Sequence, residues 1–360
     1  MLQMKWIYLF VFSLLFQSGY SQNISAYSDY RNYFFVFDNG IKKEIEYSAV
    51  KSFKCGRTCI AFVDNSGTLK VYYKGVVDEM LESTTEYLVS RYLVLGKLHS
   101  QIKVFDNGKM LTLSKDAGSF AMGDSLIAFH DKMSKTFNAY YKGEIIQLED
   151  LLVTDEISNF KSGSNIIAYV NDQNDFKVFY HGVLSKLLSV NSAFQFDVGQ
   201  DIIAYNNIDD LTFNIFYKNE YYKVEDFNTL SYIAGNACVA YVDNSGLFKL
   251  FKEGDISTIS NITPDFYKVS DDLIIYSEQN YFKVYYKNKC YLLENYIPSL
   301  YVYDQSSVAY INKMGNLRLF QDGKTETITY EKVKSFDLNG NLLTFTTGND
   351  NKFYLNGKFY

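Results

Sequence analysis

Short runs of apolar residues, mostly four to seven long, are separated along almost the whole chain by Gly, Asn, Asp or Ser. One stretch shows the unit: Val50-Lys-Ser-Phe-Lys-Cys-Gly56, then Cys59-Ile-Ala-Phe-Val63, Leu69-Lys-Val-Tyr-Tyr73 and Val76-Val-Asp-Glu-Met-Leu81. β-Branched and aromatic residues bounded by turn formers read as short strands. The unit recurs. Its third hairpin turn falls at Gly40, Gly75, Gly108, Gly143, Gly182, Asn219, Gly254, Asn288, Gly323 and Gly357, at intervals of 33 to 39 residues. That makes ten copies with a period near 35. Gly and Asn suit these turns because tight hairpins need positive φ.

A second anchor keeps the same register. A turn residue precedes an aromatic by six positions in Gly56/Phe62, Gly123/Phe129, Gly163/Tyr169, Gly199/Tyr205 and Gly235/Tyr241, and in Ser270/Tyr276, Asp304/Tyr310 and Asn339/Phe345. Another aromatic stands three residues before each turn residue, from Phe53 to Phe336. The copy near Tyr92 to Gly96 fits worst. Gly199 and its mates are read as occupying the left-handed region, which a β-branched side chain avoids. Little reads as helix. Ser83 and Thr84 are possible caps, but Tyr87 to Leu95 reads equally well as strand, and Leu148 to Glu156 is the best helical candidate.

Four strands in about 35 residues cannot bury both sheet faces alone, and stacking copies around an axis does so. The expected fold is all-β, a propeller of about ten four-stranded repeats (eight to ten blades), with an open β-solenoid as the alternative. The first copy lacks a clear inner strand and the chain ends at Lys358-Phe-Tyr360, so one sheet is expected to be completed jointly by the two termini. A turn, then Ile-Ala-Tyr, a polar hairpin and Phe-Lys-Val-Tyr-Tyr-Lys-Gly resembles the repeats of TolB-type and other WD40-like propellers, best over residues 57–75 and 164–183. The resemblance implies a central channel and a habit of binding partners, and no particular activity. A transmembrane barrel is disfavoured because its strands need about 9–11 residues.

Residues 1–21 read as a secretory signal: Lys5, then the apolar run Trp6 to Phe16, then Gly19-Tyr-Ser21 as cleavage site. The mature chain, 22–360, is expected to be one exported propeller domain, periplasmic, extracellular or cell-surface, with no integral membrane segment once the signal is removed. Both prolines, Pro264 and Pro298, fall between repeats, where no ladder bond is lost. The net charge is −6 and basic residues form no stripe, which argues against nucleic acid as a partner.

Candidate chemistry is sparse. His99, His130 and His181 fall in three different copies and are read as turn or surface residues, so a zinc site or Ser-His-Asp triad lacks its centre. No cofactor is implied. Cys55 and Cys59 flank a turn, where a disulfide is possible, and Cys238 reads as core. Two residues after the second-strand aromatic come Asp29, Asp64, Asp131, Asn171, Asn207, Asp243, Glu278 and Asn312. On a propeller they mark one rim, either as a ring binding cations or sugar hydroxyls or as side chains capping their own hairpins. Export, repeats and the missing catalytic groups point to a non-enzymatic module binding a protein or glycan. The alternatives are a hydrolase or lyase working in the central funnel, and a structural cell-surface protein.

Overall fold

The computed structural model describes residues 23–151, 156–190, 194–271 and 273–360. Ten antiparallel sheets follow one another, over residues 24–46, 52–81, 86–114, 117–150, 160–189, 196–225, 231–260, 266–294, 301–329 and 333–359. These are blades 1 to 10. Strands run in sequence order across each blade, from an inner strand to an outer one. Among the described residues none is helical. The ten turn anchors all lie between third and outer strands, and both central residues have positive φ, as at Asn39 (49°) and Gly40 (92°) or Lys218 (50°) and Asn219 (65°). These are the turns whose twist matches that of the flanking strands.

The helical candidates are strands where they are described. Residues after Ser83 form Glu86–Val89 and Leu93–Leu98. Leu148 to Asp150 are the last residues of the strand Glu144–Asp150, and 152–155 lie outside the described residues. Blade 3 fitted worst because Gly96 stands where its neighbours carry an aromatic. A Cβ there would lie 2.7 Å from Leu69 Cδ2.

Aromatic clusters between consecutive blades hold the ring. Phe213 of blade 6 lies 5.3 Å from the inner-strand Tyr232 of blade 7 and 5.0 Å from Tyr241. Each such buried side chain contributes about 1.5–3 kcal/mol. The ring closes, which excludes the open solenoid: Phe37 of blade 1 stacks on Phe353 of blade 10 at 4.3 Å beside Leu342 and Leu355. The termini share no sheet among the described residues. Blade 10 takes all four strands from the C-terminal end, and blade 1 has three among the described residues, which begin with the second-strand element Ile24–Ser28. Side chains rather than ladder bonds join the two blades, as in Ser25 Oγ to Thr344 Oγ1, 2.9 Å.

Two features organise the ring. First, Gly123, Gly163, Gly199 and Gly235 are not in the left-handed region; they are needed for close approach. A Cβ on Gly163 would overlap the carbonyl of Gly199, and one on Gly199 the carbonyl of Gly235. Backbone bonds tie the same turns from blade to blade: Asn165 N to Gln200 O (3.1 Å), Gln200 N to Gly235 O (3.0 Å) and Asn236 N to Asp271 O (3.0 Å). Second, away from the centre, one lysine–carboxylate cluster recurs five blades apart. Lys70 bridges Glu46 (2.9 Å) and Asp64 (3.0 Å), and 179 residues later Lys249 bridges Glu225 and Asp243, both at 2.8 Å.

Candidate functional site

The inner-strand turns converge at one end of the ring. There Arg91 of blade 3 donates to Asp271 of blade 8, its opposite number across the channel, and lies 3.6 Å from Asp124 of blade 4. Arg57 of blade 2 reaches towards Asp304 of blade 9 at 4.0 Å. Asn339 of blade 10 donates to Ile24 O (2.9 Å) and Gly56 O (2.7 Å). Burial disfavours the Arg91 charge, but Asp271 and Asp124 outweigh it and hold its pKa above the usual value. Two arginines among three carboxylates, with opposite sides of the ring in contact, describe a structural hub better than a receptor.

The other end is open. A cleft of about 980 Å³ runs across the inner strands of blades 5, 6 and 7 where the loops between blades emerge. This is at the upper end of the range for small-molecule sites. Its polar part is mostly uncharged. Asn159 Nδ2 donates to Phe194 O (3.0 Å), Tyr232 OH to Gln195 O (3.0 Å), and Asn206 accepts from Thr229 N (3.0 Å). One ion pair crosses it, Lys161 Nζ to Asp197 Oδ1 at 3.0 Å, and Asp197 Oδ2 accepts from Ala234 N. Tyr232 supplies aromatic surface beside the buried Phe196, and at the lip Leu230 is 66% and Ile208 41% exposed. An amide-lined cleft with an apolar lip can hold an extended, largely uncharged ligand. No motif marks it in the sequence, since its residues come from three copies and each position is ordinary in its own.

The rim series lies at this same end. Seven of its eight members accept backbone N–H groups of their own hairpin. Asp64 Oδ1 accepts from Ser66, Gly67 and Thr68 (2.9, 3.0 and 2.9 Å), and Asp243 Oδ1 from Ser245 and Leu247. Asp29, Asp131, Asn171, Asn207 and Asn312 behave alike. Glu278 instead takes the Lys283 ammonium at 3.0 Å. With Oδ1 turned into its own loop and Oδ2 held by Lys70 at 3.0 Å, Asp64→Ala should cost at least about 0.5–2 kcal/mol of stability and leave ligand binding unchanged. Calcium- or sugar-dependent stabilisation lost in Asp64→Ala and Asp243→Ala, with basal melting intact, would make the rim a site.

Two cysteine and histidine expectations need correction. No bridge joins Cys55 and Cys59. Cys55 pairs with Ile60 across the hairpin and packs towards blade 1, whereas Cys59 packs towards blade 3, so the sulphurs point to opposite faces. Burial pushes both thiols up to about 12. Nor is His130 on the surface. It is fully buried, with Nε2 accepting from Ile157 N (2.9 Å) and Nδ1 facing Ser119 O (3.0 Å). Burial lowers its pKa. Ser119 Oγ sits 3.1 Å from His130 Nδ1 and 2.7 Å from Glu156 Oε2, a contact the sequence did not suggest. It is no triad, because backbone groups already engage both ring nitrogens under the rings of Phe137 and Phe160. His99 and His181 occupy turns in blades 3 and 5. Among the described residues no group of three or more His, Cys, Asp or Glu is placed to hold a metal ion.

Ten radial units, nine of them four-stranded and the first described over three strands, define a β-propeller of the ten-bladed class. Residues 19–360 match the family model of the 10-bladed beta propeller domain, so the chain belongs to that family. No curated protein matches it in sequence. Among solved structures, the computationally designed Ika8 protein aligns at 12% identity and a TM-score of 0.38, over 85% of this chain and 96% of its own. AztD of Citrobacter koseri aligns at 10% and 0.39, over 85% and 93%. PorZ, a surface component of the type-IX secretion system of Porphyromonas gingivalis, aligns at 11% and 0.31, over 92% of this chain and 56% of its own.

Proposed function

We propose that the chain is an exported, non-enzymatic propeller whose protein or glycan partner seats in the cleft of blades 5–7. The cleft carries this reading: it has a volume of about 980 Å³, it lies where the loops between blades emerge, and its lip exposes Leu230 and Ile208 beside amides and aromatic rings. Apolar anchors within a polar rim are what binding surfaces use. Export is supported by the apolar run and cleavage pattern of residues 1–21. Among the described residues no helix is long and apolar enough to cross a membrane.

The exported protein, immobilised against envelope proteins and a glycan array, is expected to retain one partner class. Leu230→Glu and Ile208→Glu, both at exposed positions, should weaken it at least about tenfold without lowering the melting temperature. Undiminished binding by both variants would move the site elsewhere. Turnover of an ester or glycoside, lost with the same variants, would replace the binding reading with the enzymatic one.

A further inference from the structure

Two loops at the lip of the cleft expose large apolar side chains as a group. The hairpin tip of blade 6 presents Ile208 and Leu211, 41% and 56% exposed, and the loop from blade 6 to blade 7 presents Phe227 and Leu230, 61% and 66% exposed. The two loops are tied to each other. Asn206 Oδ1 accepts from Thr229 N (3.0 Å) and Oγ1 (3.1 Å), and Asn206 Nδ2 donates to Thr229 O (3.1 Å). The Asn228 side-chain amide donates to Leu211 O at 3.2 Å. The four apolar side chains therefore stand on one braced unit, and grouped exposure of this kind marks an interaction surface where single exposed residues do not. Leu211 is held at φ 60°, in the left-handed region, where Asn or Gly would sit with less strain.

The chemistry of the lip selects among partners. The cleft amides are already engaged within the chain, Asn159 with Phe194 O, Asn206 with Thr229 and Asn228 with Leu211 O. A sugar is held through its hydroxyls, so it would compete with these bonds and leave the aliphatic Ile208, Leu211 and Leu230 uncovered. Apolar side chains of a polypeptide would cover all three. Charge narrows the partner further. Asp209 and Asp210 are exposed on the same hairpin tip and form no ion pair among the described residues. On the second loop the exposed Asp226 holds Lys223 at 2.6 Å. The lip is thus apolar with an excess of negative charge.

We infer that the lip formed by the blade 6 hairpin tip and the blade 6–7 loop docks a partner polypeptide through a segment that interleaves apolar and basic side chains. The inference rests on the cleft reading and narrows its partner from protein or glycan to protein. Leu211 and Phe227 extend the contact beyond the cleft and take the apolar residues, and Asp209 and Asp210 take lysine or arginine. Apolar burial supplies the affinity, and the carboxylates set selectivity and speed the encounter.

The probe is a short synthetic peptide of alternating leucine and lysine, titrated into the exported protein by calorimetry. Leucine–glutamate and serine–lysine peptides of the same length and a neutral glucan oligosaccharide are run beside it. The leucine–lysine peptide should bind at least about tenfold more tightly than either control peptide. Leu211→Asn and Phe227→Ser should each weaken it by about tenfold. Both positions are exposed, so the melting temperature should hold, and Leu211→Asn should raise it by relieving the left-handed leucine. Asp209→Lys combined with Asp226→Lys should transfer the preference to the leucine–glutamate peptide. No binding of the leucine–lysine peptide, equal binding of the two leucine peptides, or binding unchanged in Leu211→Asn and Phe227→Ser would overturn the inference. Retention of the glucan, lost in Leu230→Glu, would overturn it and uphold the cleft. Peptide binding that responds to Leu211→Asn and Phe227→Ser but not to Leu230→Ser would uphold the docking lip and remove the cleft reading.

Discussion

Gly199→Val is expected to destabilise the protein by about 3 kcal/mol, with Gln200→Ala within about 0.5 kcal/mol of wild type. The cause is a collision between neighbouring blades. The first atom added to Gly199 would overlap the Gly235 carbonyl and come within 2.8 Å of Ile202 Cγ2. Relief requires blades 6 and 7 to part, which breaks the Gln200 N to Gly235 O bond. Gly199→Asn separates this account from one based on backbone conformation: Asn tolerates left-handed φ but carries a Cβ, so it should be nearly as damaging as Val. Denaturant melts would rank the three variants, and hydrogen exchange should rise first in residues 196–260, since blades chiefly contact their neighbours. A Gly199→Asn protein as stable as wild type would show that the turns are not in contact as described.

Lys249→Met should cost about 3 kcal/mol at neutral pH, as breaking a buried pair by removing one partner does. Lys249 lies between Glu225 and Asp243, and its side chain and that of Asp243 are 17% and 5% exposed. Burial alone would push the Asp243 carboxyl up, but Lys249 and the Leu247 and Ser245 N–H groups outweigh it and hold it below the usual range. A carboxyl with depressed folded-state pKa stabilises fully above its unfolded value, about 3.9, and loses that contribution as pH falls through the folded value. Without the ammonium, two carboxylates face each other beside the Tyr241 hydroxyl, which donates to Glu225 at 2.8 Å. The deficit relative to wild type should therefore be full at pH 7 and reduced at pH 3, below the unfolded value. Melting curves at both pH values would check it, and a deficit independent of pH would mean the loss is one of packing.

The repeat was legible because both its signals are local. Positive-φ pairs such as Lys74-Gly75 and the turn-to-aromatic spacing of Gly199/Tyr205 depend on a few adjacent residues. The reason for Gly199 was not legible, because the atom it must avoid belongs to a residue 36 positions on, in the next blade. Cys55 and Cys59 hung on turn length: pairing Cys55 with Ile60 instead of Cys59 sends the sulphurs to opposite faces. His130 looked like a strand-end residue, and only the fold of 156–157 over it shows the burial. The cleft was beyond reach, since Lys161, Asp197 and Tyr232 meet through the stacking of three blades.

The contact between Arg91 and Asp271 breaks the symmetry of the ring. Val89-Ser-Arg91 and Val269-Ser-Asp271 occupy the same place in blades 3 and 8, five blades apart. If the wheel were two identical half-wheels related by a twofold axis, each residue at that place would face its own copy, arginine against arginine or aspartate against aspartate. Opposite charges meet there because the two positions carry different residues. The bond across the centre is thus one that two identical half-wheels could not make.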